Sequence, residues 1–360
     1  MHVFFLTEAF TIIEAVNYII ENEITEADAY VIKVTSSSEQ WAEKLRETKL
    51  FKNVYLWNQV LLAYPITFRK CVDVVLNGKK LVKFMKDKRY DFAYYNNGGW
   101  LVNSIFYSGV VQNNPNAKHI YLEHVSLTYT TAYHEKSRWL AFFIKLFGFK
   151  LLSGPQLTSF KVYKPELVQV EQCVPVEKMA KIDRNNPHVV EILNGIFDYD
   201  RENDDFKDKE IIIMEQPPYK EKYDIEAFWQ PVLDIIDTER TILKAHPRQK
   251  ECALKDKGIN ISRNHTIPWE INILNNNISN KVQITIFSSS CTSPKVMFDE
   301  EPIIILLYKL LPFDYSFLGE KLLDFTDAVA KNYQDPTRFF VPNSIDELKE
   351  YCIKMGLAKE

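Results

Sequence analysis

Short apolar runs alternate with stretches of helical apolar period through the first half of the chain. "HVFFLT" (2–7), "DAYVIKVT" (28–35), "KNVYLWN" (52–58), "YDFAYYN" (90–96) and "AKHIYLEH" (117–124) are rich in β-branched and aromatic residues and predict strands. Between them, "AFTIIEAVNYIIEN" (9–22), "SEQWAEKLRETKLF" (38–51) and a stretch over about 66–88 carry the 3.6-residue period of helices. The strand runs do not alternate strictly between apolar and polar. That is the pattern of a parallel sheet covered on both faces.

The pattern breaks at "FDYDRENDDFKDKE" (197–210), dense in charge and without apolar period, and this stretch predicts an exposed linker. It then restarts: "EIIIMEQPP" (210–218), "TILKAHP" (241–247) and "VQITIFSSS" (282–290) predict strands, with a helix at "IEAFWQPVLDIID" (225–237). "EPIIILLYKLL" (301–311) is a further apolar segment, and a terminal helix is expected over 344–356. The expected fold is α/β: two Rossmann-like domains with a cleft between them, over 1–197 and 211–360, joined by an acidic linker at 198–210. The terminal helix is read as a candidate to pack back on the first domain. In open parallel sheets, ligands sit at the carboxyl ends of the strands.

Composition narrows the classes. The 360 residues are 46% hydrophobic and 26% charged, as expected of a soluble globular protein, and the net charge of −4 argues against nucleic acid as a partner. Five cysteines without CxxC spacing indicate neither a zinc site nor a disulfide framework, and favour a reducing compartment. The N-terminus reads as a first strand rather than a signal peptide, and no run is apolar enough to cross a membrane, so a cytoplasmic protein is expected. With 10 glycines and neither G-x-G-x-x-G nor a P-loop, a dinucleotide-binding dehydrogenase and a P-loop kinase are disfavoured.

Four strand ends carry candidate chemistry. In Lys244-Ala245-His246-Pro247-Arg248 the proline stops the strand and holds a histidine at the rim of the sheet, flanked by cations. The alternative is a histidine packed under a loop. Ser288, Ser289 and Ser290 leave a buried strand together, as an anion site or as a helix cap. Glu270, after Pro268 and Trp269, suits either a pair of ribose hydroxyls or the first turn of a helix. Glu123 and His124 end a strand in the first half, as an acid–base pair or as a surface ion pair.

Together these pieces resemble the bacterial sialyltransferases of GT-B type, glycosyltransferase family 52 and the related polysialyltransferases. His246-Pro247 matches their His-Pro motif, Ser288–Ser290 their serine motif, and Glu270 lies between the two where the cytidine ribose is held. "LEHVSLTY" stands where the family has an acidic pair followed by glycine; Glu123 and Tyr129 fit, His124 replaces the second acid and Val125 the glycine. The "QP" of "IIIMEQPP", with Gln216, looks like the start of the family's second domain.

The resemblance implies a GT-B fold with an acceptor-binding first domain and a nucleotide-sugar-binding second domain. It implies inverting transfer of sialic acid from CMP-sialic acid to a hydroxyl of a surface polysaccharide or lipooligosaccharide, with no metal or other cofactor. Glu123 is then the general base, and His246 holds or protonates the leaving phosphate. Lys244, Pro247, Arg248, Gln216, Glu270 and the three serines complete the donor site. Alternatives are another donor, CMP-Kdo or a UDP-sugar, and a non-catalytic sugar-nucleotide-binding protein.

Two further stretches bear on the acceptor. "YYNNGGW" (94–100), with Asn96 and Asn97, and with Tyr129 nearby in function, suits a sugar ring or a tight turn. "RWLAFFIKLFGFKLL" (138–152) reads as a core or homodimer-interface helix, or as a peripheral membrane contact.

Overall fold

A computed structural model describes residues 1–58, 60, 67–96, 99–132, 138–216, 223–246, 252–264 and 266–359. The chain forms two compact units. The first comprises Met1–Ile182 with Asn186–Phe197, and the second Asp183–Asn185 with Asp198–Glu360.

The first unit runs β1 (His2–Leu6), α1 (Ala9–Glu21), β2 (Ala27–Ile32), α2 (Ser38–Glu47), β3 (Asn53–Trp57), α3 (Phe68–Phe84), β4 (Phe92–Tyr95), α4 (Trp100–Val111), β5 (Lys118–Leu122), α5 (Val125–Thr130), α6 (Arg138–Leu146), β6 (Ser159–Val162), β7 (Val176–Lys178) and α7 (Pro187–Ile196). Its sheet has the order β3-β2-β1-β4-β5-β6-β7, with every neighbouring pair parallel. The unbroken apolar runs fall on central strands: all six residues of β2 are buried, as are the last four of β1. The edge strands β3 and β7 are partly exposed, and β6 and β7 are too short and too polar to stand out in the hydrophobic pattern. Helix α1 starts at Glu8, whose N–H donates to Thr11 Oγ1 over 3.2 Å, and Thr7 N–H donates to the same oxygen over 2.9 Å.

The second unit runs β8 (Ile211–Met214), α8 (Ile225–Ile235), β9 (Thr241–Lys244), β10 (Asn260–Ile261), α9 (Trp269–Asn275), β11 (Val282–Thr285), β12 (Ile303–Leu306), α10 (Glu320–Lys331), β13 (Phe339–Phe340) and α11 (Ile345–Lys354). Its sheet order is β10-β9-β8-β11-β12-β13, again parallel throughout. Each sheet therefore reverses direction beside its first strand, at β1/β4 and at β8/β11. Those reversals open the crevice in which Rossmann-like domains bind ligands.

One expectation changes. The segment 198–210 is folded into the second unit rather than exposed as a linker. Phe206 is buried, and the Lys281 ammonium donates to the carbonyls of Phe206 (2.8 Å), Lys207 (3.0 Å) and Lys209 (2.7 Å). Its acids accept specific bonds: Asp204 from Tyr199 Oη (2.6 Å) and Asn276 Nδ2 (2.7 Å), Asp205 from Ser262 Oγ (3.0 Å) and Arg263 N–H (2.6 Å). Charge density alone does not separate a solvated stretch from one whose carboxylates cap neighbouring backbone. The terminal helix α11 closes on α8 of its own unit. Asp237 N–H donates to the Leu357 carbonyl (3.0 Å) and Lys359 N–H to the Ile235 carbonyl (2.9 Å).

Candidate functional site

In the second unit, β8 and β11 end side by side at the reversal. Gln216, just past β8, accepts the Phe287 N–H through Oε1 at 2.6 Å, and Thr285 Oγ1 donates to the Met214 carbonyl at 2.9 Å. Gln216 thus holds the chain as it leaves β11 and enters the serines. Ser288 and Ser290 pair through their hydroxyls at 2.7 Å, while Ser289 is exposed. The next turns are short, a 3-10 turn at Ser289–Cys291 and a π-helical turn at Pro294–Phe298. Between them Ser293 Oγ donates to Glu270 Oε1 at 3.0 Å. The structure therefore joins Glu270, in the first turn of α9, to the serine segment after β11. Ser293 was not singled out by the sequence, because nothing local marks the one serine that reaches across to α9.

Lys244 ends β9 and is buried, its Nζ donating to the carbonyls of Ile267 (2.8 Å) and Asn264 (3.3 Å). Burial pulls its ammonium down to about 8, against the attraction of Glu270 and Asp205. Its ammonium thus ties down the loop that leads into α9 and so sets where Glu270 starts. Burial likewise raises Glu270, against its own backbone N–H, Ser293 and Lys244.

His246 is half-buried beside this end. Its backbone N–H bonds to Glu215, a buried carboxyl at the end of β8 that also accepts the Ala253 N–H at 2.8 Å. Glu215, raised by burial, fixes the corner carrying the histidine, and the reading of the sequence missed it beside Gln216. Pro247 and Arg248 lie outside the described residues, as does Asn97.

In the first unit Glu123 follows β5 and is 1% exposed. Both its donors, the Tyr129 hydroxyl and the Tyr163 N–H (2.9 Å), meet the same oxygen, Oε2. Burial pushes the carboxyl up to about 8, against the pull of those two donors. A carboxyl held there is mostly protonated at neutral pH, and a general base must in any case lie within about 3 Å of the proton it takes. Glu123 instead ties α5 to the strand end of β6. Tyr129, expected to meet the acceptor, is fully buried, and its oxygen also accepts the Lys164 N–H at 3.3 Å. Asn96, past the end of β4, is 2% exposed and donates to the Thr11 carbonyl at 3.3 Å; its buried Oδ1 has no partner among the described residues.

The exposed acid–base group at this edge is a different pair. His124 Nε2 stands 2.7 Å from Oε1 of Glu8, the N-cap residue of α1, and the two side chains are 21% and 44% exposed. A carboxylate only accepts, so Nε2 carries the proton. His124 is held by its N–H bond to Thr128 Oγ1 (2.6 Å) and by the edge of Phe10, 6.4 Å between ring centroids. The pair joins residues 116 positions apart, and no spacing along the chain announces it.

No protein-family model matches the chain, and no curated protein matches it in sequence. Solved structures do match in fold. The chain is similar to the glycotransferase of kitacinnamycin, at a TM-score of 0.51 and 9% identity over 98% of this chain and 90% of that one. It is similar also to the glycosyltransferase VinC solved in complex with dTDP, at a TM-score of 0.50 and 10% identity over 97% and 90%. At such identities the likeness is one of fold: GT-B-like, two Rossmann-like α/β domains with parallel sheets.

Proposed function

We propose that the chain is a glycosyltransferase that moves a sugar from a nucleotide donor to a hydroxyl of a glycan acceptor, with CMP-sialic acid as the donor and inversion at the anomeric carbon. The observation that carries the reading is the convergence at the carboxyl end of the second sheet. Glu270 is bonded to Ser293, the Ser288–Ser290 hydroxyl pair lies in the same segment, and His246 follows β9, which β8 separates from β11. A carboxylate can accept two ribose hydroxyls, and hydroxyls with an imidazole can meet a phosphate monoester.

In this reading the acceptor oxygen bonds to the anomeric carbon as the bond from that carbon to phosphate breaks. Charge then grows on the departing CMP, where His246 donates a proton or a hydrogen bond. Glu8 takes the proton of the acceptor hydroxyl, and His124, bonded to Glu8 Oε1, orients the carboxylate. Glu123 and Tyr129 are assigned to positioning the β5–α5 turn that carries His124, because both are buried.

A thermal-shift panel of CMP, UMP, UDP, dTDP, GDP and NAD tests the donor class. At about a hundred times its Kd a ligand stabilises by about 2.7 kcal/mol. Selective stabilisation by CMP is expected, and silence across the panel would leave a non-catalytic protein. A second reading, a dTDP- or UDP-sugar donor, is favoured by the dTDP bound to the fold neighbour VinC. Stabilisation by dTDP or UDP in place of CMP would move the proposal there.

A further inference from the structure

Helix α3 carries a face that the fold leaves uncovered. Val74, Gly78 and Leu81 are buried and fix the helix to the core. A Cβ on Gly78 would stand 2.8 Å from Ile105 Cδ1 and 3.0 Å from Phe149 Cζ. At 100° per residue the opposite face presents Phe68, Val72 and Leu76 together with Lys79, Lys80 and Lys83. All six are exposed, Phe68 to 86% and Leu76 to 51%. The helix holds five cations against one carboxylate, Asp73, in a chain whose net charge is −4.

Helix α6 adds a second exposed apolar set, Phe142 (56%), Phe143 (46%) and Leu146 (63%), with Lys145 beside them. The two helices approach where Phe149, just after α6, packs over Gly78, and where Lys79 Cε lies 4.0 Å from a Cβ built on Gly148. Of the eleven large hydrophobic residues exposed among those described, seven lie on α3 and α6. Single exposed apolar residues are ordinary, but this concentration marks an interaction surface.

The charge selects the partner. A two-fold pairing of this face with a second copy would set lysine rows against one another. A bilayer with anionic headgroups offers the opposite sign, and its acyl boundary takes phenylalanine and leucine side chains. None of the helices described is long and apolar enough to cross a membrane. We propose that the α3–α6 face docks the protein on an anionic lipid surface, with the lysines over the headgroups and the phenylalanines and leucines in the interface. The inference does not depend on which donor is used.

The test is co-sedimentation of the full chain with vesicles of phosphatidylcholine alone, or with about one third phosphatidylglycerol. Each cation near an anionic surface contributes about a factor of five, so binding should be about tenfold or more tighter to the anionic vesicles and should weaken with salt. Lys79→Gln/Lys80→Gln/Lys83→Gln should reduce it by about tenfold or more. Phe142→Ser/Leu146→Ser should release the protein even at low salt. Neutralising Lys207, Lys255 and Lys321 on the second unit should change nothing, and melting curves should be unaltered in every variant because each site is exposed. Equal binding to both vesicle types, or wild-type binding by the lysine variant, would overturn the proposal. So would failure to bind vesicles together with a dimer in sedimentation that Phe142→Ser/Leu146→Ser abolishes, since the face would then belong to a second copy.

Discussion

Glu123 and Glu8 are two carboxyls at the same edge of one sheet with opposite surroundings, and the difference decides what each can do. Glu8→Gln keeps the shape and the bond to His124 but removes the proton acceptor. It should lower kcat by about 10²-fold or more with nucleotide affinity unchanged, as read by steady-state kinetics beside a CMP titration. Glu123→Gln should act on stability instead. The folded-state pKa is raised to about 8 from an ordinary value of 4.5, so the protonated carboxyl belongs to the folded state. That contribution is fully present below about pH 4.5 and is lost as pH rises through about 8. Melts from pH 5 to 9 should show wild-type stability falling across this window and a flatter profile for Glu123→Gln, whose amide stays neutral. A variant as pH-sensitive as the wild type would mean another group carries the slope. The strand ends after β5, β9 and β11, which carry Glu123, His246 and the serines, were legible from the sequence. Burial was not, because Glu123 is enclosed by Tyr129 and by the backbone of Tyr163, which is 40 positions away.

Among the elements, β1 to β5, β8, β9 and β11 announced themselves, as did α1, α2, α3, α8 and α11, whereas β6, β7, β10 and β13 did not. The buried runs of β1, β2, β8 and β11 are continuous because both faces are covered. β7, β10 and β13 have two or three residues each and no run to detect. Helix α4 escaped for a related reason: it is apolar on nearly every side, with nine of its residues buried, so it lacks the one-sided period that marks a surface helix. Its contact with α3 passes through Gly78, and a test follows. Alanine would raise helix propensity by about 1 kcal/mol, but its methyl must enter the gap between Ile105 and Phe149, and overpacking a core costs about 1–3 kcal/mol. Gly78→Ala should therefore lower the midpoint of urea unfolding without changing the slope. A stabilised variant would show that Ile105 and Phe149 can move aside.

At the scale of the molecule, the same strand order occurs twice, and each unit has its own reversal point: β1/β4 and β8/β11. Two such points are two candidate ligand crevices, and the proposal gives the nucleotide to the second. Chemistry supports that division. The strand ends of the second unit carry hydroxyls, an imidazole and a carboxylate bonded to Ser293, the groups the proposal gives to a nucleotide monophosphate, whereas the first offers the Glu8–His124 pair, suited to moving a proton. Hydrogen exchange of the full chain with saturating CMP separates the two crevices, because a bound ligand slows local opening where it makes contacts. Amides of residues 286–293 and 266–272 should exchange about tenfold more slowly with CMP, a value set by about 1.4 kcal/mol of local stabilisation. Those of residues 7–12 and 123–128 should keep their rates. Glu270→Gln should weaken the protection in the second unit by removing the carboxylate to which the proposal gives the ribose hydroxyls. Protection confined to 7–12 and 123–128 would place the nucleotide at the other reversal and exchange the roles of the two units. Glu8 and His124 would then belong to the donor, and the acid–base pair that moves the acceptor's proton would have to be sought at His246 and Glu215.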